Sequence, residues 1–325
     1  MMREPWFWRS RSPAARAATL LLTPAAIAYQ AGHRLLWAAT AVERAPVPVI
    51  CVGNATLGGA GKTPFAMLAA ELLREEGVTA HFVTRGYGGA LTGPVAVDPD
   101  RHNADDVGDE ALLLARRAPA VVSRNRLAGA RLAAANGAQA IVMDDGFQNP
   151  SLFKDLSILI AGAEDAASNG ALFPAGPYRE PMQSARARAD IVVAVGDSGD
   201  DADFRASLEP VAPAPERVVA FAGIGRPEKF FATLERAGYD LARRISFPDH
   251  HRFAEAELRM LEREAARQNA RLICTEKDHV RLPGEFCEKT LVLAVAMRVD
   301  DEAGLKRRLT AVITGVMPPT PRQPG

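Results

Sequence analysis

"VICVGNATLGGAGKTP", residues 49 to 64, runs from an apolar segment through a glycine-rich turn to Gly61-Lys62-Thr63. A buried strand, a glycine turn and a helix start in this order are typical of a phosphate-binding loop, where backbone N–H groups and the helix dipole hold the anion. The general loop pattern has a glycine where this chain has Thr56. A glycine turn with a surface lysine is the alternative, but the register of strand, turn and helix favours a nucleotide site.

This loop predicts where ATP and its metal ion would bind. Lys62 would reach the β and γ phosphates, and the Thr63 hydroxyl would ligate Mg²⁺. The predicted nucleotide-binding residues are Gly53, Asn54, Thr56, Leu57, Gly58, Gly59, Ala60, Gly61, Lys62 and Thr63.

The rest of the chain alternates short apolar runs with helical patterns. Strands that are apolar throughout indicate a parallel sheet covered on both faces. The sequence therefore predicts an α/β protein whose main domain has a phosphate-loop NTPase-like parallel sheet. A stretch rich in Gly, Asp, Ala and Pro (196–218) is the candidate boundary before a second, smaller α/β unit.

The chain of 325 residues is long enough for two compact domains. We divide it into an N-terminal membrane-associating helical segment (1–44), a phosphate-loop domain (45–210) and a smaller α/β domain that closes over the site (211–325). The tail from residue 317 is expected to be frayed.

Composition limits the function classes. Acidic and basic residues number 39 each, so no overall field favours nucleic acid, and nothing indicates an obligate protein partner. The three cysteines lack zinc spacing and are expected to be small buried hydrophobes in a reducing compartment.

The N-terminus differs from the rest of the chain. Trp6, Phe7 and Trp8 lie among arginines, and no charged residue occurs between Arg16 and Arg34. Three interpretations remain open: a helix on or in a membrane, a helix packed on the protein itself, and a cleavable leader. We favour the membrane helix, because a leader would place the nucleotide site in a compartment without ATP.

"AIVMDDGFQ", residues 140 to 148, is an apolar strand that ends in Asp144 and Asp145. In phosphate-loop proteins a carboxylate at such a strand end holds the metal ion or its waters. We assign both residues to the Mg²⁺ region and leave the choice between them open.

Three further segments carry ionisable residues. Asp109 opens a helix, where it could simply complement the dipole. His250 in "FPDHH" has too few neighbouring ligands for a zinc site, but an imidazole beside a carboxylate suits a catalytic base. In "TEKD", residues 275 to 278, Asp278 could read a nucleobase edge or cap a helix, and both interpretations stay open.

Eight segments occur in order along the chain: "VGNATLGGAGKTP", "TRGYGG", "VGDE", "DDGFQ", "LFPAGPYRE", "FAGIGRPEKF", "FPDHH" and "TEKD". Together with the N-terminus they resemble the tetraacyldisaccharide 4'-kinase family over about residues 1–300. The resemblance implies ATP- and Mg²⁺-dependent phosphorylation of the 4' hydroxyl of the tetraacyldisaccharide 1-phosphate lipid A precursor. It also implies a location at the cytoplasmic face of the bacterial inner membrane. The family's loop itself lacks the first glycine, so Thr56 fits it.

The resemblance also implies roles for single residues. Asp109 resembles the catalytic base and His250 its partner, with Lys62 and Arg179 on the transferred phosphate. The pair is expected to form when the second domain closes. The implied metal and phosphate group is Thr63, Asp144, Asp145, Gln148 and Glu180.

Two positions depart from the family pattern. Asn149 stands where a His usually follows Phe-Gln, and His279 where a small residue is commoner.

Two other function classes remain as alternatives. One is a membrane-docked GTPase switch of the metallochaperone type, with "TEKD" reading guanine. The other is a membrane scaffold whose loop has degenerated. Neither explains the "DDGFQ" and "FPDHH" segments, which favour the kinase.

Overall fold

The computed structural model describes residues 4–58, 61–163, 167–196 and 201–315. Gly59 and Ala60 of the predicted loop, and the predicted frayed tail, lie outside these ranges. The strands described are β1 Val49–Gly53, β2 Ala80–Thr84, β3 Val95–Ala96, β4 Ala120–Val122, β5 Ala140–Asp144, β6 Leu156–Gly162, β7 Ile191–Val195, β8 Phe204–Val211, β9 Arg217–Ala222, β10 Asp240–Ser246, β11 Arg271–Thr275 and β12 Thr290–Val299.

A short 3-10 turn at Trp6–Trp8 precedes the helices. The helices described are α1 Pro13–Ala39, α2 Lys62–Glu75, α3 Ala104–Val107, α4 Asp109–Ala115, α5 Arg126–Ala135, α6 Met182–Arg188, α7 Pro227–Arg236, α8 Glu255–Gln268, α9 Glu276–His279, α10 Gly284–Lys289 and α11 Glu302–Thr314.

All twelve described strands form one sheet in the order β10-β9-β11-β12-β8-β7-β6-β1-β5-β2-β4-β3. β1 lies between β5 and β6 and is parallel to both. Two pairs, β3 with β4 and β8 with β12, are antiparallel, so the sheet is mixed. The predicted α/β class is confirmed, because the loop-bearing strand lies inside a parallel region whose strand ends meet at one edge.

Helices cover both faces of the sheet around β1. β1, β2, β5 and β6 are buried at every position, as their predominantly apolar sequences predict. The polar residues buried with them are His81, Thr84, Asp144 and Ser157. Phe65 of α2 and Leu305 of α11 belong to the core on one face. Leu127 of α5 and Ala185 of α6 belong to the core on the other.

The predicted boundary segment contains a strand. Phe204 and Ala206 of β8 are buried alternately with exposed residues, a period-2 pattern that the surrounding Asp and Pro residues obscure in the sequence. β8 pairs with β7 on one side and with β12 on the other. Met297 and Leu305, predicted to lie in the second domain, join the core beside β1. The division at residue 210 stays a prediction.

We call the part built on β1–β7 the phosphate-loop lobe and the part built on β9–β11 the second lobe. In the second lobe, α7 and α8 pack in two separate core clusters, one containing Phe230 and the other Leu261. The turn after β10 and the helix α9 then face α4 of the phosphate-loop lobe, through contacts described below.

The N-terminal helix is both packed and exposed. Ala15 and Ala26 are buried, and Asn169 Nδ2 donates to Thr19 Oγ1 at 3.0 Å. Leu20 and Leu21, in contrast, are 72% and 82% exposed. Across the described ranges, no helix combines the length and hydropathy needed to cross a bilayer.

Candidate active site

The phosphate loop joins β1 to α2 as predicted. β1 ends at Gly53, where a Cβ atom would lie only 2.4 Å from Phe147 Cβ, so the close approach of these two segments requires glycine. Gly61 precedes α2 with φ +82°, a left-handed conformation that glycine adopts without strain. The sequence therefore has glycine at two loop positions where the fold needs it.

Asn54 holds the first half of this loop in place. Its fully buried side chain donates from Nδ2 to Thr56 Oγ1 at 3.1 Å and to the Gly58 carbonyl at 3.2 Å. The Leu57 N–H donates to the Pro177 carbonyl at 2.7 Å, which ties the turn to the following chain segment. Thr56 is 3% exposed and forms part of this packed turn, in the position where the general pattern has glycine.

Lys62 places its ammonium group over the loop. Nζ donates to the Gly58 carbonyl at 2.9 Å and lies 3.8 Å from Asp145 Oδ1. A compact cation over a glycine turn at a helix start is the arrangement that binds terminal phosphates of a nucleotide.

The Thr63–Asp144 pair fits a magnesium ion. Thr63 Oγ1 donates to Asp144 Oδ2 at 3.0 Å, while the buried Asp144 Oδ1 has no hydrogen-bond partner within the described part of the chain. Burial, together with the charges of Glu110 and Asp145, raises the pKa of Asp144 to about 7. A hard cation would satisfy the orphaned oxygen and favour the ionised form.

No group of three or more His, Cys, Asp or Glu residues forms a metal cage among the described residues. The magnesium sites of nucleotide enzymes usually have one or two protein ligands and are completed by phosphates and water.

Asp145 and Arg179 form an ion pair beside Lys62. Arg179 Nη1 donates to Asp145 Oδ1 at 3.0 Å and to Gln148 Oε1 at 3.1 Å. Burial opposes ionisation of Asp145, but Lys62 and then Arg179 outweigh it and lower its pKa. The structure thus brings together the predicted residues Lys62, Asp145, Gln148 and Arg179.

Glu180 is buried against a different arginine. Arg188 Nη2 lies 2.7 Å from Glu180 Oε2, and Gln148 Nε2 donates to Glu180 Oε1 at 3.0 Å. The metal roles implied for Asp145 and Glu180 stay predictions, because each carboxylate is paired with an arginine here.

The Asp109–His250 pair spans the two lobes. His250 Nδ1 lies 2.9 Å from Asp109 Oδ2, and the pair is already formed in the structure, with both lobes in contact. Asp109, the first residue of α4, is 4% exposed. His250 has φ +56° and donates its backbone N–H to the Gly223 carbonyl at 3.1 Å. The turn after β10 therefore fixes the imidazole at the end of β9.

Arg281 is the residue that sequence reasoning missed. It donates to Asp109 Oδ2 from Nε at 3.1 Å and from Nη2 at 2.5 Å, and Nη1 donates to the Gly223 carbonyl and to Asp278 Oδ1. Its side chain is 5% exposed. One feature of the sequence could have indicated the contact between Arg281 and Asp278. Arg281 follows Asp278 by three residues, and this spacing places both side chains on one side of a helical turn.

The charges around this pair set its protonation. Burial opposes ionisation of Asp109, but the hydrogen bond from His250 and the charge of Arg281 outweigh it and hold the pKa of Asp109 well below its usual range. The hydrogen bond to Asp109 raises the pKa of His250, against the effects of burial and of Arg281. Both shifts therefore favour an ionised Asp109 and a protonated His250 imidazole.

The "TEKD" segment caps a helix. Thr275 Oγ1 accepts the Asp278 N–H at 3.1 Å, and the fully buried Asp278 carboxylate accepts the Gly223 N–H at 2.9 Å. A carboxylate engaged in this way has no edge to offer a guanine base. The helix-cap interpretation is therefore supported and the guanine-reading one is not.

The two departures from the family pattern have structural roles. Asn149 Oδ1 accepts the backbone N–H groups of Ser151 and Leu152 and so forms a local turn. His279 Nδ1 lies 3.2 Å from Arg116 Nη1 in the contact between α9 and α4.

Known proteins resemble this chain over nearly its whole length. The family model described as "Tetraacyldisaccharide-1-P 4'-kinase" matches residues 18–314. The tetraacyldisaccharide 4'-kinase of Rhodospirillum centenum is 46% identical, covering 97% of this chain and 98% of its own. That of Methylorubrum populi is 48% identical, covering 96% and 99%. The crystal structure of LpxK from Aquifex aeolicus in complex with ATP has a TM-score of 0.76 and 26% identity, covering 91% of this chain and 99% of its own.

Proposed function

The chain belongs to the tetraacyldisaccharide-1-P 4'-kinase family, and from this membership we propose how its own residues carry out the reaction. The protein is a kinase of lipid A biosynthesis that transfers the γ-phosphoryl group of ATP to the 4' hydroxyl of the tetraacyldisaccharide 1-phosphate precursor. This membership removes the switch and scaffold alternatives. The observation that carries the residue assignment is the buried Asp109–His250 contact at the junction of the lobes.

His250, rather than Asp109, accepts the proton of the 4' hydroxyl in this proposal. Asp109 is anionic, buried and bound by His250, Arg281 and its own helix, so its carboxylate is a weak base with little room for substrate. Because Nδ1 faces Asp109, Nε2 is the nitrogen that takes the hydroxyl proton, and it lies 3.9 Å from Asp249 Oδ1. The sequence interpretation had given these two roles in the opposite order. The reason for the exchange is that His250 and Arg281 both contact Asp109 Oδ2, which lowers the pKa of the carboxyl and makes it a weaker base.

The phosphate-loop residues bind and orient the transferred group. Lys62 and Arg179 contribute positive charge where negative charge spreads over the phosphoryl oxygens during transfer. Thr63 and Asp144 would hold Mg²⁺, which neutralises charge on the nucleotide phosphates when it is bound. Gln148 donates to the Asn54 carbonyl of the loop and accepts a hydrogen bond from Arg179, and Glu180 in turn accepts one from Gln148. Asp145 orients the Arg179 guanidinium.

The N-terminal segment is proposed to dock the protein on the cytoplasmic face of the inner membrane as a peripheral or monotopic protein. The exposed leucines of α1 and the arginines before it suit the boundary between acyl chains and headgroups. The lipid substrate lies in the membrane, so an enzyme docked on the membrane surface can reach it. The proposed docking therefore supports the assigned reaction.

Transfer of label from radioactive ATP to lipid A disaccharide 1-phosphate in detergent micelles tests this assignment. We expect Lys62→Ala and His250→Ala each to lower the turnover by at least about 10²-fold. His251→Ala is the matched control, because the neighbouring imidazole is bound to Glu257 within its own lobe at 2.9 Å and should keep most of the activity. Near-normal turnover of His250→Ala, or nucleotide hydrolysis without labelled lipid, would contradict the assignment.

A further inference from the structure

The last turn of the N-terminal helix reaches the side chains that support the phosphate loop. The Trp37 indole lies 4.5 Å from Arg188 Cζ, measured to the ring centroid, and the same guanidinium lies 5.2 Å from the Phe147 ring. The indole is itself oriented, because Trp37 Nε1 donates to His33 Nε2 at 3.2 Å one helical turn earlier. Trp37 therefore contacts the phosphate-loop lobe, whereas Leu20 and Leu21 of the same helix are exposed.

Arg188 connects this indole to the loop through Glu180, which is buried, and Gln148, which is partly buried. Its Nη2 donates to Glu180 Oε1 at 2.8 Å, and Glu180 is 1% exposed. Gln148 Nε2 donates both to Glu180 Oε1 at 3.0 Å and to the Asn54 carbonyl at 2.7 Å. Asn54 is the residue whose amide holds the turn at Thr56 and Gly58. Every step from α1 to the loop is thus a direct contact.

The chemistry of this chain of contacts fixes the orientation of Gln148. A carboxylate only accepts hydrogen bonds, so Glu180 forces the Gln148 amide to present its NH₂ to Glu180 and to the Asn54 carbonyl. The Gln148 oxygen then faces Arg179 Nη1 at 3.1 Å. Arg188 supplies the charge that the buried Glu180 requires, and the Trp37 ring lies against that guanidinium, whose side chain stays 34% exposed.

We propose that Trp37 and Arg188 are positioning residues for ATP, which act from the membrane helix through Glu180 and Gln148 on the phosphate loop. The inference rests on the proposed nucleotide site. It assigns α1 a second task beyond contact with the membrane, since the helix that docks the protein also supports the loop that binds ATP.

Direct titration of ATP with Mg²⁺ in detergent micelles, alongside the KM values for ATP and lipid, tests this proposal. We expect Trp37→Leu to raise the dissociation constant and the KM of ATP by about threefold to tenfold, the range given by losing a partly buried cation–π contact. Arg188→Gln, which also removes the ion pair to Glu180, should raise both by at least as much. The KM of the lipid should change less than about twofold. Trp37→Phe keeps an aromatic face and should restore ATP binding to within about twofold of the wild type.

Leu21→Ala is the matched control on the same helix, because Leu21 points outward and is 82% exposed. It should alter the lipid KM and leave the dissociation constant of ATP unchanged. Wild-type ATP affinity in a folded Arg188→Gln protein would overturn the proposal, as would a Trp37→Leu protein that, like the Leu21→Ala control, changes only the lipid KM. Because ATP binding is measured without transfer, a failure of lipid phosphorylation would be recognised separately.

Discussion

The Asp109–His250 pair makes the pH dependence of phosphoryl transfer a direct test of which residue takes the proton. The hydrogen bond and charge of Asp109 raise the pKa of His250 above its usual value near 6.5. Transfer needs the neutral imidazole, so kcat/KM should rise with pH through this raised pKa. Asp109→Asn removes the largest cause of the shift, while the charge of Asp249 remains, and should move the acid limb to lower pH, with a loss of rate of roughly 10²-fold at the optimum.

The measurement is kcat/KM for the lipid between about pH 5 and pH 9 in wild type and Asp109→Asn. His251→Ala, whose imidazole does not contact Asp109, should keep the wild-type acid limb. An acid limb that stays in place in Asp109→Asn would show that His250 is not the titrating base.

We expect the folded protein to lose stability when the charge of Arg281 is removed. It is the cation between two buried carboxylates, Asp109 and Asp278, and breaking such a group from one side costs about 3–5 kcal/mol. Arg281→Met should therefore lower the free energy of unfolding by this amount in urea titrations. Adding Asp109→Asn should recover part of the loss, because one uncompensated charge is removed. A loss below about 1 kcal/mol in Arg281→Met would show that this ion pair is dispensable.

Single residues differ in how far the sequence could reveal them. The positions of Lys62, Thr63 and Asp144 were predictable. Lys62 and Thr63 begin the helix after the glycine turn, and Asp144 ends the strand beside β1. The exchange of roles that we propose between Asp109 and His250 was not predictable, because it depends on how many donors surround each group. Arg281 comes from a segment 172 positions further along the chain than Asp109, and no local pattern records that contact.

Among the elements, α1 makes the clearest prediction about the membrane. Its outward leucines are exposed, so Leu20→Ser combined with Leu21→Ser should lower partitioning to anionic phospholipid vesicles by about tenfold or more, through lost apolar burial. The melting temperature should change little, because neither side chain is in the core. Met260→Ser on α8 is the matched control, an exposed apolar residue outside α1. Equal vesicle binding by all three proteins in co-sedimentation would contradict a docking role for α1.

The strands show what periodicity can and cannot predict. Apolar runs predicted β1 and β5, and both faces of these strands are covered by helices. β8 was missed because only Phe204 and Ala206 face the core, and Pro210 stands opposite Val295 at its far end. A strand with few buried residues takes its stability from its neighbours, β7 and β12, and its own sequence carries little of that information.

At the scale of the whole molecule, the continuous sheet predicts that the two lobes unfold together. β8 and β12 join them through six paired positions, and the ion pairs Asp109–Arg281 and Glu110–Lys277 add contacts across the junction. Thermal unfolding followed by far-UV circular dichroism should therefore give one transition.

ATP with Mg²⁺ at 100 times its dissociation constant should stabilise the folded state by about 2.7 kcal/mol and move that entire transition to a higher temperature.

The tryptophans allow this coupling to be checked with a second probe. Trp6, Trp8 and Trp37 are the only tryptophans of the chain, so fluorescence reports the N-terminal segment while circular dichroism reports all lobes. Coincident midpoints, shifted equally by ATP, would show that α1, the phosphate-loop lobe and the second lobe form one cooperative unit. Lys62→Ala should abolish the shift in both signals. Two separate transitions, with only one moved by ATP, would instead favour the independent second domain that the sequence predicts after residue 210.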